Sequence, residues 1–187
     1  VFGLPLGVAA NFQVNGNDVL LPMCVEEPSI VAAASLAAKV VRDAGGFSAE
    51  ADEALLVAQI QVARVADPLG ASARIERART EILEIANAAE PRMTARGGGA
   101  RDLWVRVIEA PEGPAAEPIV VVEILVDVKD AMGANAVNTV AEAVGPRVAE
   151  IVGGRVFLRI LTNLCDRRLA RARCRIPVEL LAVDGIG

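Results

Sequence analysis

The sequence contains no histidine and no tyrosine, only 3% aromatic residues, and three cysteines, Cys24, Cys165 and Cys174, with no C-x-x-C pair among them. That removes the usual donor set of a zinc site, so no metal is expected. Unpaired thiols fit a reducing cytoplasm better than an oxidising compartment. Basic residues are outnumbered, 19 Lys and Arg against 24 Asp and Glu, for a net charge of −5. This balance speaks against a nucleic-acid partner, which calls for a basic face. Long apolar runs are also missing. The stretch at 119–128 is interrupted by Glu123 and Asp127 and is too short for a bilayer, so no membrane span is expected. The opening Val-Phe-Gly-Leu-Pro has no basic segment, unlike a secretory signal, and Val1 in place of an initiator methionine suggests a piece cut from a longer chain.

What remains is aliphatic. Hydrophobic residues make up 53% of the 187 positions and charged residues 23%, the composition of a globular chain rather than a disordered one. With so few rings the core must be built from Ala, Val, Leu and Ile, which suits helices packed on a sheet.

Residues 1–25 alternate apolar runs with turn signals such as Asn15-Gly16, the pattern of a hairpin. Pro28 and Ser29 open a helix from about 30 to 43, closed by Gly45-Gly46, and its face of Ala32, Ala33, Ala34, Ala37 and Ala38 suits close approach of another helix. Residues 47–53 read as an exposed crossing between domains. A strand at 55–65 ends at Asp67-Pro68. Ile75, Ala78, Ile82, Ile85 and Ala89 then recur at helical spacing, predicting one helix over 72–89. After Gly97-Gly98-Gly99, Leu103, Val105 and Val107 alternate with polar residues as in a half-buried strand. A loop with Pro111, Gly113 and Pro114 leads to a second strand whose Val120, Val122, Ile124, Val126 and Val128 share a face. A second helix carries Val137, Val140, Ala141, Val144, Val148 and Ile151 on one side, with Pro146 expected to kink or open it. Val156, Leu158 and Ile160 form a last strand. The order β-α-β-β-α-β is that of an α+β, ferredoxin-like domain, an antiparallel sheet covered on one side by two helices. Residues 162–187, Arg-rich and then strand-like through Cys174 to Leu181, leave that domain.

Several places invite chemistry, and each also has a plainer reading. Asp130-Ala-Met-Gly-Ala-Asn135 lies where a strand meets a helix. It serves either as a capping turn, with Asp130 the cap and Gly133 the bend, or as a pyrophosphate site in which free helix-start N–H groups face a backbone kept bare by glycine. It is not G-x-G-x-x-G, so a dinucleotide would bind otherwise than in a Rossmann unit. Glu26-Glu27-Pro28-Ser29, taken alone, reads as an ordinary acidic helix start with proline at its first turn. Glu90, an acid at a helix end that opposes the dipole, is either a surface residue or a ribose-binding carboxylate. Asn163 forms a turn or points into a cleft. Arg167, Arg168, Arg171, Arg173 and Arg175 read as a solvated, salt-bridged face.

Taken in order, Gly3-Leu-Pro-Leu-Gly-Val-Ala, Val25-Glu-Glu-Pro-Ser-Ile-Val-Ala-Ala-Ala-Ser35, Asp127-Val-Lys-Asp-Ala-Met-Gly-Ala-Asn135, Asn138-Thr and Arg159-Ile-Leu-Thr-Asn163 resemble the class II 3-hydroxy-3-methylglutaryl-coenzyme A (HMG-CoA) reductases over all but the last residues. The resemblance implies an oxidoreductase that interconverts HMG-CoA and mevalonate plus coenzyme A by two hydride transfers through a thiohemiacetal. It implies that residues 1–53 belong to a large catalytic domain, 54–161 to a dinucleotide-binding small domain, and 162–187 to the large domain again. Glu27 would exchange a proton with the carbonyl oxygen, which needs a raised pKa. Ser29 would contact the hydroxymethylglutaryl group, and Asn163 would border the reacting centre. Asp130, Met132, Gly133 and Asn135 would fall at the dinucleotide. Glu90, where the family's NAD users carry an acid, would favour NAD(H) over NADP(H), although the family's usual residue is Asp. The resemblance further implies a homodimer, or a higher homo-oligomer, with an active site shared across its interface. It also calls for a lysine, an aspartate and a histidine from later in the family's chain, so this stretch alone is expected to show no turnover. The element order by itself allows another reading, a non-enzymatic ferredoxin-like module that binds a ligand or a partner.

Overall fold

A computed structural model describes residues 1–109 and 117–181; the loop expected around Pro111, Gly113 and Pro114 lies outside them. The chain is α+β and forms two compact units, one from residues 1–51 and from 170 onward, the other Asp52–Leu169. The second unit thus runs past the expected boundary at 161.

In the first unit, strands β1 (Leu6–Val14) and β2 (Asn17–Cys24) pair antiparallel. Their two-residue link has positive φ at both Asn15 (51°) and Gly16 (80°), the conformation whose twist matches a hairpin and which Asn-Gly adopts most readily. The Asn15 side chain also brackets the backbone of Ala49, donating to its carbonyl and accepting from its N–H, each at 2.9 Å. Helix α1 (Pro28–Asp43) begins with proline at its first turn, where a missing N–H costs nothing, and packs on β1. Ala9, Ala38 and Val41 are buried. Of the alanine face only Ala38 is fully buried, and its neighbour is a strand rather than a helix. Residues 48–51 are not a bare crossing. They form β3 (Ser48–Ala51), paired antiparallel with β8 (Ala170–Arg173). Beyond Arg173 the expected strand is absent, and a short 3-10 turn, Val178–Leu180, stands there instead.

The second unit is built on an antiparallel sheet of four strands in the order β5-β6-β4-β7. Strand β4 is Leu55–Ala63, β5 Gly99–Ile108, β6 Ile119–Asp127 and β7 Arg155–Leu161. Helices α2 (Pro68–Arg77), α3 (Arg79–Ala89), the single-turn α4 (Pro91–Ala95) and α5 (Ala134–Val152) complete it. Ile60 and Val62 of β4, Val120, Val122, Ile124 and Val126 of β6, and Leu103 of β5 meet Ile75, Ile82, Val137, Val140, Val144 and Val148 of the helices in one buried cluster. Alternation puts every second strand residue on that face, and burying these side chains is what stabilises the unit.

Two expectations about the helices need correction, and the last strand, present as expected, carries an irregularity. The helix over 72–89 starts earlier, at Pro68, where the Asp67 carboxylate accepts the Gly70 N–H at 2.9 Å. It then breaks at Ala78 (φ −95°, ψ 6°), and Arg79 on the far side reaches the Leu103 carbonyl of β5 at 3.0 Å. Pro146 does not open α5, which continues through it, although proline removes one ladder bond there. On β7, Arg159 stands opposite Ile60 and Val156 opposite Val62, which places one extra residue on β7. This bulge puts Arg159 in the register position that strict alternation gives Leu158, and Leu158 and Ile160 are 53% and 47% exposed.

On the other side of the sheet the buried carboxylate of Glu123 accepts from Arg106 Nε and Nη2 at 2.7 Å each, from Gln59 Nε2 at 2.8 Å and from Trp104 Nε1. Burial alone would raise its carboxyl, but these donors outweigh it and hold it below the usual range. No buried side-chain polar atom among the described residues lacks a partner.

Candidate functional site

In the first unit, Glu27 is the residue at which α1 begins (φ −122°, ψ 110°), and its carboxylate does not cap the helix. It accepts a hydrogen bond from the Ser29 hydroxyl instead. Both side chains are exposed, so the pair is open to a ligand.

In the second unit the decisive geometry is the turn between β6 and α5. Asp127, at the end of β6, is 5% exposed. Its carboxylate accepts the Lys129 N–H at 3.1 Å and binds Lys129 Nζ and Arg101 Nη2 at 2.8 Å each. Burial would raise this carboxyl, but the Lys129 ammonium, the Arg101 guanidinium and the backbone N–H outweigh it, leaving it at about 2. Held this way, Lys129 takes a positive φ of 52°, and the Ala131 N–H closes on the Val128 carbonyl at 3.1 Å.

Asp130 is not the helix cap. It is exposed and makes no side-chain hydrogen bond among the described residues; the residue at the helix start is Gly133 (φ 93°, ψ −17°). Only glycine fits there. A Cβ would lie 2.8 Å from Val128 Cγ1 and 2.9 Å from Leu56 Cδ1, and an L side chain resists that φ. The first N–H groups of α5 have no intrahelical acceptor. Met132 is 73% exposed, and Asn135 is exposed on the first turn of α5.

Glu90 is half-buried and joins α3 to α4. The expected conflict with a helix dipole is therefore offset, because the residue also stands at the start of α4, whose dipole favours an acid. Its carbonyl accepts the Met93 and Thr94 N–H groups at 3.1 Å each. A cavity of about 570 Å³ brings Glu90 together with Asp130 and is edged by Arg92, Arg96 and Lys129. Asn135 lines a separate shallow depression along α5 with Asn138 and Thr139. Asn163 is exposed just past β7, whose end is held by the Asn138 side chain accepting the Leu161 N–H at 2.8 Å.

Asp127, Arg101, Lys129, Arg92 and Arg96 were not foreseen. Asp127 and Lys129 sit inside the Asp127–Asn135 motif, and Arg92 and Arg96 follow Pro91 at a four-residue spacing. The arginine run is not uniformly solvated. Arg167 lies 5.8 Å over the Trp104 ring, and Arg168 is half-buried against backbone carbonyls. Among the described residues there is no group of metal-ligating side chains, and no helix is long and apolar enough to cross a membrane. All three cysteines are exposed and free.

The sequence profile of the hydroxymethylglutaryl-coenzyme A reductases matches residues 1–185. The chain belongs to this family. It is 48% identical over 189 residues to the 3-hydroxy-3-methylglutaryl-coenzyme A reductase of Archaeoglobus fulgidus, covering 99% of this chain and 42% of that protein. A probable 3-hydroxy-3-methylglutaryl-coenzyme A reductase of Borreliella burgdorferi is 32% identical over 90% of this chain and 37% of its own length. Among solved structures, the class II 3-hydroxy-3-methylglutaryl-CoA reductase of Streptococcus pneumoniae bound to NADPH in open conformations superposes with a TM-score of 0.89 at 40% identity, over 97% of this chain and 43% of that one. The chain thus spans less than half the length of the reductases it matches.

Proposed function

We propose that this chain carries the dinucleotide-binding unit and part of the catalytic site of an enzyme that interconverts HMG-CoA and mevalonate plus coenzyme A, assembled as a homodimer or higher homo-oligomer. In this reading the second unit is a ferredoxin-like, split-βαβ domain whose turn before α5 receives a nicotinamide dinucleotide. The observation that carries it is the turn leading to Gly133, where α5 starts at a φ that suits only glycine and where Lys129, Asp130 and Ala131 line a cavity together with Glu90. A pyrophosphate needs that combination of close approach and unpaired N–H groups.

The bound dinucleotide supplies hydride. Glu27 holds the proton exchanged at the substrate's carbonyl oxygen, and Ser29, already bonded to it, contacts the hydroxymethylglutaryl group. Asp130, Met132, Gly133 and Asn135 line the dinucleotide, and Asn163 borders the reacting carbon. Glu90 accepts the hydroxyls of the adenosine ribose. A carboxylate there repels a 2′-phosphate, which favours NAD(H). Arg92 and Arg96 at the same cavity have no partner among the described residues and leave NADP(H) usable as the weaker cofactor.

Calorimetric titration of the chain with NADH and NADPH tests this. NADH is expected to bind more tightly, and Glu90→Gln is expected to shift the ratio toward NADPH by about tenfold, equal to about 1.4 kcal/mol of relieved repulsion. Binding of neither nucleotide would overturn the dinucleotide assignment. Tighter binding of NADPH by the unaltered chain would overturn the role of Glu90 alone.

A further inference from the structure

Arg168 lies far in sequence from the turn before α5, yet its Nη1 donates to two successive carbonyls of that turn, Ala131 at 3.2 Å and Met132 at 3.3 Å. The segment that delivers it is pinned at both ends. The Thr162 N–H donates to the Val57 carbonyl at 3.0 Å, just past β7. At the other end, the Leu169 N–H reaches Asp52 Oδ2 at 3.3 Å and the Asp52 N–H returns to the Leu169 carbonyl at 2.8 Å. The guanidinium is therefore presented from a held backbone rather than from a loose coil.

The consequence follows from peptide geometry. A trans peptide is planar, and its C=O and N–H point in opposite directions. With the Ala131 and Met132 carbonyls drawn toward Arg168, the N–H groups of the same two peptide planes, those of Met132 and Gly133, are directed away from it. Neither has an acceptor among the described residues, although Gly133 is itself buried. An unpaired N–H in such a place calls for a partner. The first N–H groups of α5 follow directly, so the turn presents a short run of aligned donors, which is how backbone alone makes a concavity for an anion.

We propose that Arg168 is a positioning residue. It holds the two carbonyls so that the Met132 and Gly133 N–H groups face the pyrophosphate of the dinucleotide, and it joins the segment after Asn163 to the phosphate turn as one mechanical piece. This rests on the dinucleotide reading above and adds a residue that acts through the backbone. Its carrier is the half-buried member of an otherwise exposed arginine run.

The test uses the full 187-residue chain with two readouts, NADH affinity by calorimetry and amide hydrogen exchange of the 128–133 turn without nucleotide. Arg168→Ala is expected to weaken NADH binding by about tenfold, the scale of a few lost or misdirected anion contacts. It should also speed exchange at Ala131, whose N–H closes the turn on the Val128 carbonyl, while leaving the β6 amides protected. Arg168→Lys, with a single ammonium in place of the planar fork, should recover part of the affinity. Should the alanine variant fail to fold, Arg168→Gln is held to the same two readouts. Unchanged exchange together with unchanged NADH affinity overturns the proposal. If the unaltered chain binds no nucleotide, the dinucleotide reading fails, while the exchange measurement still judges Arg168.

Discussion

Replacing Gly133 with valine is expected to abolish measurable dinucleotide binding and to lower the unfolding free energy by about 3 kcal/mol, from left-handed strain of about 1–3 kcal/mol and overpacking of similar size. Both causes act on one atom. At φ 93° any Cβ is strained, and here it would be driven to within 2.8 Å of Val128 and 2.9 Å of Leu56, two members of the buried cluster. Neither neighbour can withdraw into solvent, because Val128 is 1% and Leu56 8% exposed. Relief must come from the turn itself, which swings the Met132 and Gly133 N–H groups out of line. Urea unfolding and NADH calorimetry on the same preparation separate the two effects. If Gly133→Val binds NADH as the unaltered chain does, the turn is not the phosphate site. If stability is unchanged, the packing described around Gly133 is wrong.

Asp127→Asn is expected to cost about 2 kcal/mol at neutral pH, the size of hydrogen bonds to charged groups lost from a buried acceptor. The amide retains one oxygen but turns its NH2 toward donors already committed to a carboxylate, Arg101 Nη2 and Lys129 Nζ. The acid behaviour of the same residue gives a second measurement with a definite sign. Its folded carboxyl, at about 2, lies below the ordinary 3.8. The charged form is therefore favoured by folding, and its contribution is fully present above about pH 4 and disappears as pH falls toward about 2. Because Arg101 and Lys129 are about half exposed, screening reduces that contribution to about 1–2 kcal/mol. Urea midpoints taken across this window should fall more steeply for the unaltered chain than for Asp127→Asn. Parallel curves would show that Asp127 is not the group that titrates.

Much of the second unit could be read from residue order because its signals are local. The alternation of Val120, Val122, Ile124 and Val126 marks a strand wherever it is met, and the apolar face of α5 repeats through Pro146. Asn15-Gly16 likewise admits little except a hairpin turn. What escaped depended on partners distant in sequence. Nothing in Ser48–Ala51 announces that its partner is Ala170–Arg173, so a strand read as a crossing. The helical period from Ile75 to Ile85 continues across Ala78, so the break there, after which Arg79 bonds to the Leu103 carbonyl of β5, leaves no mark on the apolar spacing. The bulge in β7 is set by pairing with β4 and leaves no mark on composition. At the candidate site, Glu90, Asp130, Met132, Gly133 and Asn135 were named from the sequence, because resemblance marks residues one by one. The arginines that shape the turn were not. A guanidinium that grips backbone carbonyls looks, in sequence, like any other surface arginine.

The bonds between Asp52 and Leu169 bring the entrance and exit of the second unit to one place. A unit whose ends meet is topologically a cassette: it can be threaded into a host chain without stretching either. Closing it requires no long loop, which limits the entropy of joining distant ends.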